Sequence, residues 1–174
     1  NHGLLKAAIR CDDPVVYLEH KGLWGMKGPV DPDAGPIPLG KADLVRRGDD
    51  LTLVTWSGMR VECAKAAEML AREGIAVDLI DLRTLWPWDR EKVFESVSRT
   101  GRLLIAQEAV RVGGFGAEVA AEVGEALWSK LRAPIRRLGA PRTPVPFSLP
   151  LEEACRVSPE QIVAAAVEMT KGKT

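Results

Sequence analysis

AVDLIDLRTLWPWD, residues 76–89, gives the clearest indication of the fold class in this chain. Its first half is too densely apolar for a strand with one face in water. The pattern therefore predicts a buried strand from Ala76 to Leu82, a turn from Arg83 to Pro87 and an acidic helix start at Asp89. Because such a strand needs cover on both sides, the rest of the chain has to supply helices for two faces.

Strand and helix patterns alternate around this stretch. The pattern predicts strands at 51–56, 76–82, 103–106 and 134–138, and helices at 57–73, 89–99, 116–131 and 158–169. Connections of helix length favour parallel pairing of the strands they join. The predicted fold class is therefore α/β, a three-layer domain with a mostly parallel sheet, helices on both faces, and the opening strand in the interior.

The first 48 residues are predicted to form a smaller, separate part of the chain. Residues 2–10 have helical spacing and residues 15–18 are β-branched and aromatic, which predicts a remnant of one helix and one strand. Glycine and proline dominate residues 22–40 and predict an irregular linker. The remnant cannot bury both of its faces, so we expect it to dock on something outside this chain. The chain opens at Asn1 on a helix already under way, which indicates a piece of a longer polypeptide.

Composition excludes several classes of function. Lys plus Arg and Asp plus Glu each number 24, so no net field recruits nucleic acid or an anionic membrane. No apolar run approaches the roughly 20 residues that a membrane span needs. The three cysteines, Cys11, Cys63 and Cys155, are far apart and form no CxxC pair, which favours a reducing compartment and predicts no metal site.

A glycine turn is the candidate anion site of the chain. Gly113, Gly114 and Gly116 follow a predicted strand and open a helix, a context in which backbone amides can hold a phosphate. The sequence matches neither GxGxxG nor GxxxxGK[ST]. A tight strand-to-helix turn is therefore the favoured interpretation, with anion binding as the alternative.

Charged residues at predicted strand ends are the candidates for proton transfer or for subunit contacts. Glu19, His20 and Lys21 follow the first predicted strand, where a histidine between an acid and a base could carry protons. Interface contacts are the favoured interpretation of these three residues. Glu108 and Arg111 flank the glycine turn, and a solvated ion pair between them is favoured over a catalytic couple.

The opening stretch itself carries no convincing catalytic pair. Asp78 and Asp81 are three residues apart on a strand and so point to opposite faces. Asp81 and Arg83 share a face and are interpreted as a structural or interface contact. Trp86 and Trp88 bracket a proline at a surface turn, and core packing or a subunit contact is favoured over ligand stacking. Taken residue by residue, the sequence predicts an α/β domain without catalytic machinery of its own.

Several long motifs, in order, resemble one enzyme family. They are HGLLKAAIR with PVVYLEHK (2–10 and 14–21), IPLGKADLVRRGDDLTLVTWSGM (37–59), VDLIDLRTLWPWD (77–89), GRLLIAQEAVRVGGFGAEVAA (101–121), and PVPF with LEEACRVSPEQIVAAA (144–147 and 151–166). Together they resemble the carboxyl-terminal half of the β subunit of a thiamine-diphosphate-dependent 2-oxo acid dehydrogenase E1 component. The pyruvate, branched-chain and acetoin dehydrogenases form this group.

The resemblance implies a division of the chain and a set of partners. Residues 1–21 would be the tail of a pyrimidine-binding domain, 22–48 the linker, and 49–174 a transketolase C-terminal-type domain. Thiamine diphosphate and Mg²⁺ would belong to the assembled enzyme, with their site and the catalytic residues outside this segment. The implied partners are an E1 α subunit and a second β subunit in a heterotetramer, and the E2 acyltransferase core. The implied compartment is a bacterial-type cytoplasm or the mitochondrial matrix.

Two functional hypotheses follow. In the first, the chain is part of an oxidoreductase that decarboxylates a 2-oxo acid and transfers the acyl group to lipoyl, with the isolated segment inactive and serving assembly. The subunit contacts would involve the candidates Glu19, His20, Lys21, Arg83, Trp86 and Trp88. In the second, the chain is a fragment of another transketolase-like thiamine enzyme, or a stand-alone anion-binding or interaction module.

Overall fold

The sheet has five strands, one more than the sequence predicts. The computed structural model describes residues 1–171, so the predicted domain end at 174 lies outside the described residues. The strands are β1 (Asp43–Arg46), β2 (Leu51–Thr55), β3 (Val77–Asp81), β4 (Leu103–Val110) and β5 (Arg136–Ala140). Their order is β1-β3-β2-β4-β5, in which β1 runs antiparallel to β3 and the other neighbours are parallel. The prediction that the opening stretch forms an interior strand is confirmed.

Helices cover both faces of the sheet, as the buried strand requires. Residues 1–171 form the helices α1 (His2–Arg10), α2 (Met59–Arg72), α3 (Arg90–Thr100), α4 (Gly116–Leu127), α5 (Leu149–Cys155) and α6 (Pro159–Lys171). Of these, α2 with α6 and α3 with α4 cover the sheet. One apolar core lies between the sheet and α2 with α6, and a second lies between the sheet and α3 with α4. All five residues of β2 and of β3 are buried between these two cores. The predicted three-layer α/β class is confirmed.

Local signals set most helix ends where the sequence predicts them. The Asp89 carboxylate accepts a hydrogen bond from Lys92 N at 3.1 Å and caps α3, and Gly101 ends that helix with φ 69°. A capping box opens α6, because Ser158 N donates to Gln161 Oε1 at 3.0 Å and Gln161 N donates to Ser158 Oγ at 3.3 Å. These contacts need only neighbouring residues, so a sequence pattern can find them.

Three local predictions differ from the structure. Residues 15–18 form no strand, because no sheet edge lies beside them to complete their hydrogen bonds. Ser57 does not cap α2; it has a left-handed φ of 55°, and the helix begins at Met59. Strand β1 lies inside the predicted linker. It forms by pairing with β3, which is distant in sequence, and the four residues 43–46 are too short to predict a strand by their own pattern.

Candidate functional site

The carboxyl edge of the sheet carries several of the polar side chains that the sequence singles out. Strands β2 to β5 are parallel, so their carboxyl ends meet at one edge. Ser57 and Arg83 follow two neighbouring strands there with φ of 55° and 60°, a region that non-glycine residues rarely adopt. Backbone strain of this kind persists only where surrounding contacts fix it, and it is common at functional sites.

His20 fastens the amino-terminal segment to this edge. Its Nε2 lies 2.9 Å from Glu108 Oε2 and 3.1 Å from Oε1, near the end of β4. The imidazole packs on Gly58 so closely that a Cβ there would lie 2.8 Å from Nε2. His20 Nδ1 is buried and has no hydrogen-bond partner in the structure. Gly58 is therefore the residue that lets the histidine reach Glu108.

The sequence placed the partner of Glu108 incorrectly. Among residues 1–171 the predicted ion pair between Glu108 and Arg111 is not formed, and the Glu108 carboxylate pairs with His20 instead. His20 is 88 residues from Glu108 in the chain. No local pattern could have revealed that contact.

Two carboxylates and two arginines form a second cluster at the same edge. Asp81 is 8% exposed, lies 3.4 Å from Arg60 Nε, and accepts a hydrogen bond from Arg83 N at 3.1 Å. The Arg83 guanidinium pairs with Asp43 at 3.0 Å. Burial raises the pKa of Asp81, and the Arg83 amide and Arg60 guanidinium oppose that rise. The cluster links β1 and α2 to β3. The Asp81 and Arg83 side chains do not pair with each other directly, since the Arg83 guanidinium binds Asp43, and the role of Arg83 in a subunit interface stays a prediction.

The glycine turn is packed around the Gln107 side chain. Gly116 N donates to Gln107 Oε1 at 2.8 Å, and Gln107 Nε2 donates to Val110 O at 2.8 Å. A Cβ on Gly114 would lie 1.9 Å from Gln107 Nε2. The Gly116 amide is thus occupied by Gln107, which supports the favoured tight-turn interpretation. Gln107 was missed, although a polar residue at the end of a buried apolar strand is a usable signal.

The two tryptophans of the opening stretch have different environments. Trp86 is 84% exposed at the surface turn, whereas Trp88 is 5% exposed. Trp88 makes edge-to-face contacts with Phe94 and Phe115, at centroid distances of 6.3 and 6.5 Å. Core packing, one of the two roles that the sequence left open, is therefore the role of Trp88. Trp86 keeps its whole ring available for a partner.

The remaining interface candidates lie on the exposed amino-terminal segment. Glu19 accepts a hydrogen bond from Asn1 Nδ2 at 2.8 Å, and Lys21 is exposed at the start of a 3-10 turn, Lys21–Leu23.

Within residues 1–171, no group of three or more His, Cys, Asp or Glu side chains is placed to hold a metal ion. The same part of the chain contains no helix long and apolar enough to cross a membrane. The contacts of His20 with Glu108 and of Arg83 with Asp43 hold the amino-terminal segment and strand β1 against the rest of the domain.

Comparison with known proteins identifies relatives over nearly the whole chain. Residues 40–162 match the family described as transketolase, C-terminal domain. The chain is 44% identical to the acetoin:2,6-dichlorophenolindophenol oxidoreductase subunit beta of Cupriavidus necator, covering 98% of this chain and 50% of the relative. It is 41% identical to the 2-oxoisovalerate dehydrogenase subunit beta of Bacillus subtilis, covering 97% and 52%. The pyruvate dehydrogenase E1 component subunit beta of Porphyra purpurea is 39% identical, with 94% and 49% covered.

A solved structure shows the same architecture. A split-gene transketolase, an inactive β4 tetramer, matches with a TM-score of 0.71 and 29% identity over 86% of this chain and 47% of that one. The chain spans about half the length of the curated relatives it matches.

Proposed function

The chain belongs to the family of the transketolase C-terminal domain, and from this membership we propose that it is the carboxyl-terminal half of an E1 β subunit of a 2-oxo acid dehydrogenase. The observation that carries the proposal is the 39–44% identity to three β subunits over 94–98% of this chain. The assembled enzyme would catalyse thiamine-dependent oxidative decarboxylation of a 2-oxo acid and acyl transfer to lipoyl.

In this proposal the segment divides into a domain tail (1–21), a linker (22–48) and a transketolase C-terminal-type domain (49–174). Exposed apolar side chains on the proposed tail support this division. Ile9 is 76% exposed, Val16 86% and Leu18 83%. Scattered exposed apolar residues are ordinary on proteins, but a short segment with this many suits burial against a further domain.

Thiamine diphosphate and Mg²⁺ are proposed to bind outside this segment. One observation supports this placement: the Gly116 amide at the glycine turn is held by Gln107. When bound elsewhere in the assembly, thiamine diphosphate supplies the nucleophile and electron sink for decarboxylation. The residues of this chain would position neighbouring subunits around that site.

The proposed partners are an E1 α subunit, a second β subunit in a heterotetramer, and the E2 acyltransferase core. The exposed candidates Glu19, Lys21 and Trp86 support such contacts, while His20 and Arg83 already bind within the chain. We propose a bacterial-type cytoplasm or the mitochondrial matrix as the compartment. Relatives include a mitochondrial form from Dictyostelium discoideum and a chloroplastic form from Oryza sativa.

A chimera tests the proposed activity. This chain would replace the matching half of the Bacillus subtilis 2-oxoisovalerate dehydrogenase β subunit, co-expressed with the α subunit of that enzyme. We expect thiamine-dependent dye reduction with a 2-oxo acid as the electron donor. A chimera that assembles and binds thiamine diphosphate but oxidises no 2-oxo acid would contradict the proposal.

Two tryptophans provide a matched pair for the assembly role. Trp86→Ala should leave the stability of the isolated chain within about 0.5 kcal/mol of wild type, because the ring is exposed. The same substitution should weaken association of the chimera with the α subunit. Trp88→Ala should cost about 3–5 kcal/mol of stability, because the buried ring would leave a cavity. Unchanged assembly of the Trp86→Ala chimera would remove Trp86 from the interface.

The alternative function, a fragment of another transketolase-like thiamine enzyme, is favoured by one observation. A split-gene transketolase has the same fold at a TM-score of 0.71, although with lower identity than the dehydrogenase subunits. Offering the assembled enzyme a sugar phosphate in place of a 2-oxo acid separates the two. Calorimetry of the isolated chain with nucleotides, thiamine diphosphate and CoA tests the remaining idea of a stand-alone anion-binding module.

A further inference from the structure

Residues 1–39, here called the amino-terminal segment, are held together by contacts of their own. Lys6 Nζ donates to Ala34 O at 2.8 Å, which ties helix α1 to the irregular chain that follows it. Ile37 N donates to Gly3 O at 3.0 Å, and a Cβ on Gly3 would lie 2.6 Å from the Ile37 side chain. The segment is therefore closed on itself at both ends of α1 and the linker.

The part of the segment that carries His20 is tied to α1 as well. Tyr17 Oη donates to Asn1 O at 3.1 Å, and Asn1 Nδ2 donates to Glu19 Oε1 at 2.8 Å. A movement of His20 is therefore coupled to a movement of the whole segment.

The segment has little polar contact with the rest of the chain. Within residues 1–171, none of its side chains belongs to either of the two apolar cores. Among the hydrogen bonds and ion pairs of the same residues, only the contact of His20 with Glu108 joins the segment to residues 40–171. One polar contact, together with the continuous backbone, thus holds the segment in its place.

The backbone becomes bonded to the sheet domain at Gly40. This glycine has a left-handed φ of 78°, and its N–H donates to Thr84 Oγ1 at 3.1 Å. Two residues later, Ala42 N donates to Asp89 Oδ2 at 3.0 Å. Because these bonds pin the chain to the loop after β3, a rotation of the segment would pivot near Gly40.

The contact of His20 with Glu108 is a balance of opposing effects. A hydrogen bond to a carboxylate is among the stronger ones in proteins. Against it, His20 Nδ1 is buried without a hydrogen-bond partner within residues 1–171, a cost that disappears once water reaches the ring. The Glu108 side chain is 46% exposed, so water can take the place of the imidazole there. The contact therefore holds the segment by a small margin.

We propose that the contact between His20 and Glu108 is a releasable latch of the amino-terminal segment. When the latch opens, the segment swings away from the carboxyl edge about a pivot near Gly40, while the sheet and its helices stay folded. Opening uncovers Glu108 and the start of α2 at Gly58, on which the imidazole packs. His20 is thus a positioning residue.

The latch goes beyond the proposed function, because its test needs no thiamine diphosphate, α subunit or activity. In the proposed function residues 1–21 are the tail of a further domain, and the latch would then set how that domain sits on this one. Failure of the chimera to oxidise a 2-oxo acid would leave the latch standing, and failure of the latch would leave the chimera result standing.

Pulsed electron paramagnetic resonance distances between two spin labels test the latch. One label goes on Cys11 at the end of α1, and the other on Glu125→Cys, an exposed position of α4, in a Cys155→Ser background. Cys63 is buried and stays unlabelled. This parent chain should give one narrow distance. His20→Ala should add a broad second population, with the ratio of open to closed chains raised about fivefold or more.

Two substitutions at histidine serve as matched controls. His2→Ala removes the other histidine of the chain, which is exposed at the start of α1, and should keep the single narrow distance. His20→Gln should keep it too, because the glutamine amide can donate to Glu108 from the position of Nε2. The urea midpoint of all these chains should match that of the parent, since the segment belongs to neither core.

Gly58→Ala opens the latch from the side of α2. The backbone of Gly58 has a helical φ of −56° that accepts alanine, but the new Cβ would lie 2.8 Å from His20 Nε2 and displace the ring. Gly58→Ala should therefore shift the distances as His20→Ala does, and the double variant should shift them no further.

Three results would overturn the latch. They are a parent chain that already has a broad distance distribution, a His20→Ala or Gly58→Ala chain that keeps the single narrow distance, and a His2→Ala chain that opens as far as His20→Ala.

Discussion

Replacing Asp78 with alanine should destabilise the domain by about 3–5 kcal/mol, the cost of breaking a buried ion pair. Asp78 is 1% exposed and accepts three hydrogen bonds, from Gly48 N at 3.0 Å, Ser96 Oγ at 2.5 Å and Arg99 Nη2 at 2.6 Å. Hydrogen bonds to a charged group contribute about 1.5–3 kcal/mol each, so the simple sum of the three bonds is larger than the expected loss of about 3–5 kcal/mol. Two features make the expected loss smaller than this sum. The Arg99 side chain is 26% exposed and can be solvated, and Ser96 Oγ keeps its hydrogen bond with Thr52 Oγ1 at 2.7 Å.

Urea unfolding followed by circular dichroism measures this loss. With a slope of about 2 kcal/mol/M, the midpoint should fall by about 2 M. Natural domains are stable by only about 5–15 kcal/mol, so a loss of this size can leave Asp78→Ala largely unfolded. Asp78→Asn keeps the shape of the side chain, and its free energy of unfolding should lie between those of wild type and Asp78→Ala.

Asp49 provides the matched control, because it pairs with the same arginine from solvent. Its side chain is 78% exposed, so Asp49→Ala should cost about 0–1 kcal/mol. Two results would refute the reasoning: an Asp78→Ala variant within about 1 kcal/mol of wild type, or an Asp49→Ala variant that loses as much as Asp78→Ala. Either would show that burial does not set the strength of these contacts.

Further predictions concern a thiol, a glycine and a carboxylate. Burial raises the pKa of Cys63 to about 12. A thiol reagent should therefore label Cys11 and Cys155 of the folded chain readily and Cys63 only after unfolding. Fast labelling of all three cysteines would contradict this. Gly114→Ala should cost about 1–3 kcal/mol in urea unfolding through its clash with Gln107, whereas Gly25→Ala, with open space around it, should be neutral. The raised pKa of Asp81 means that its contribution to stability is complete below the unfolded-state pKa of about 3.9 and is lost as pH rises through the folded-state pKa. Relative to Asp81→Asn, wild type should therefore lose free energy of unfolding as the pH rises above about 4, and a difference that is constant with pH would refute this.

Patterns set by neighbouring residues account for what was predictable in the fold. The apolar density of 77–82, the Asp89 cap and the capping box at Ser158 depend on residues a few positions apart. Strand β1 and helix α5 were not predicted. The short strand gains its identity only from pairing with β3, and α5 has no apolar face turned to the core.

The sequence identified residues of the candidate site but not the contacts between them. The sequence singled out His20, Glu108, Asp81 and Arg83 because they stand at predicted strand ends. It did not reveal that His20 binds Glu108 over a separation of 88 residues, or that Arg83 turns to Asp43 on β1. Nor did it separate the exposed Trp86 from the buried Trp88.

The α/β class, the interior strand at residues 76–82 and the family resemblance were predictable from residue order alone, because periodicity, caps and motifs are properties of nearby residues in the chain. Which polar groups meet at the carboxyl edge, how Gln107 fills the glycine turn and that α5 has no buried residue follow only from the folded structure. Those outcomes depend on the path of the whole chain, which brings distant residues within contact distance and leaves others exposed.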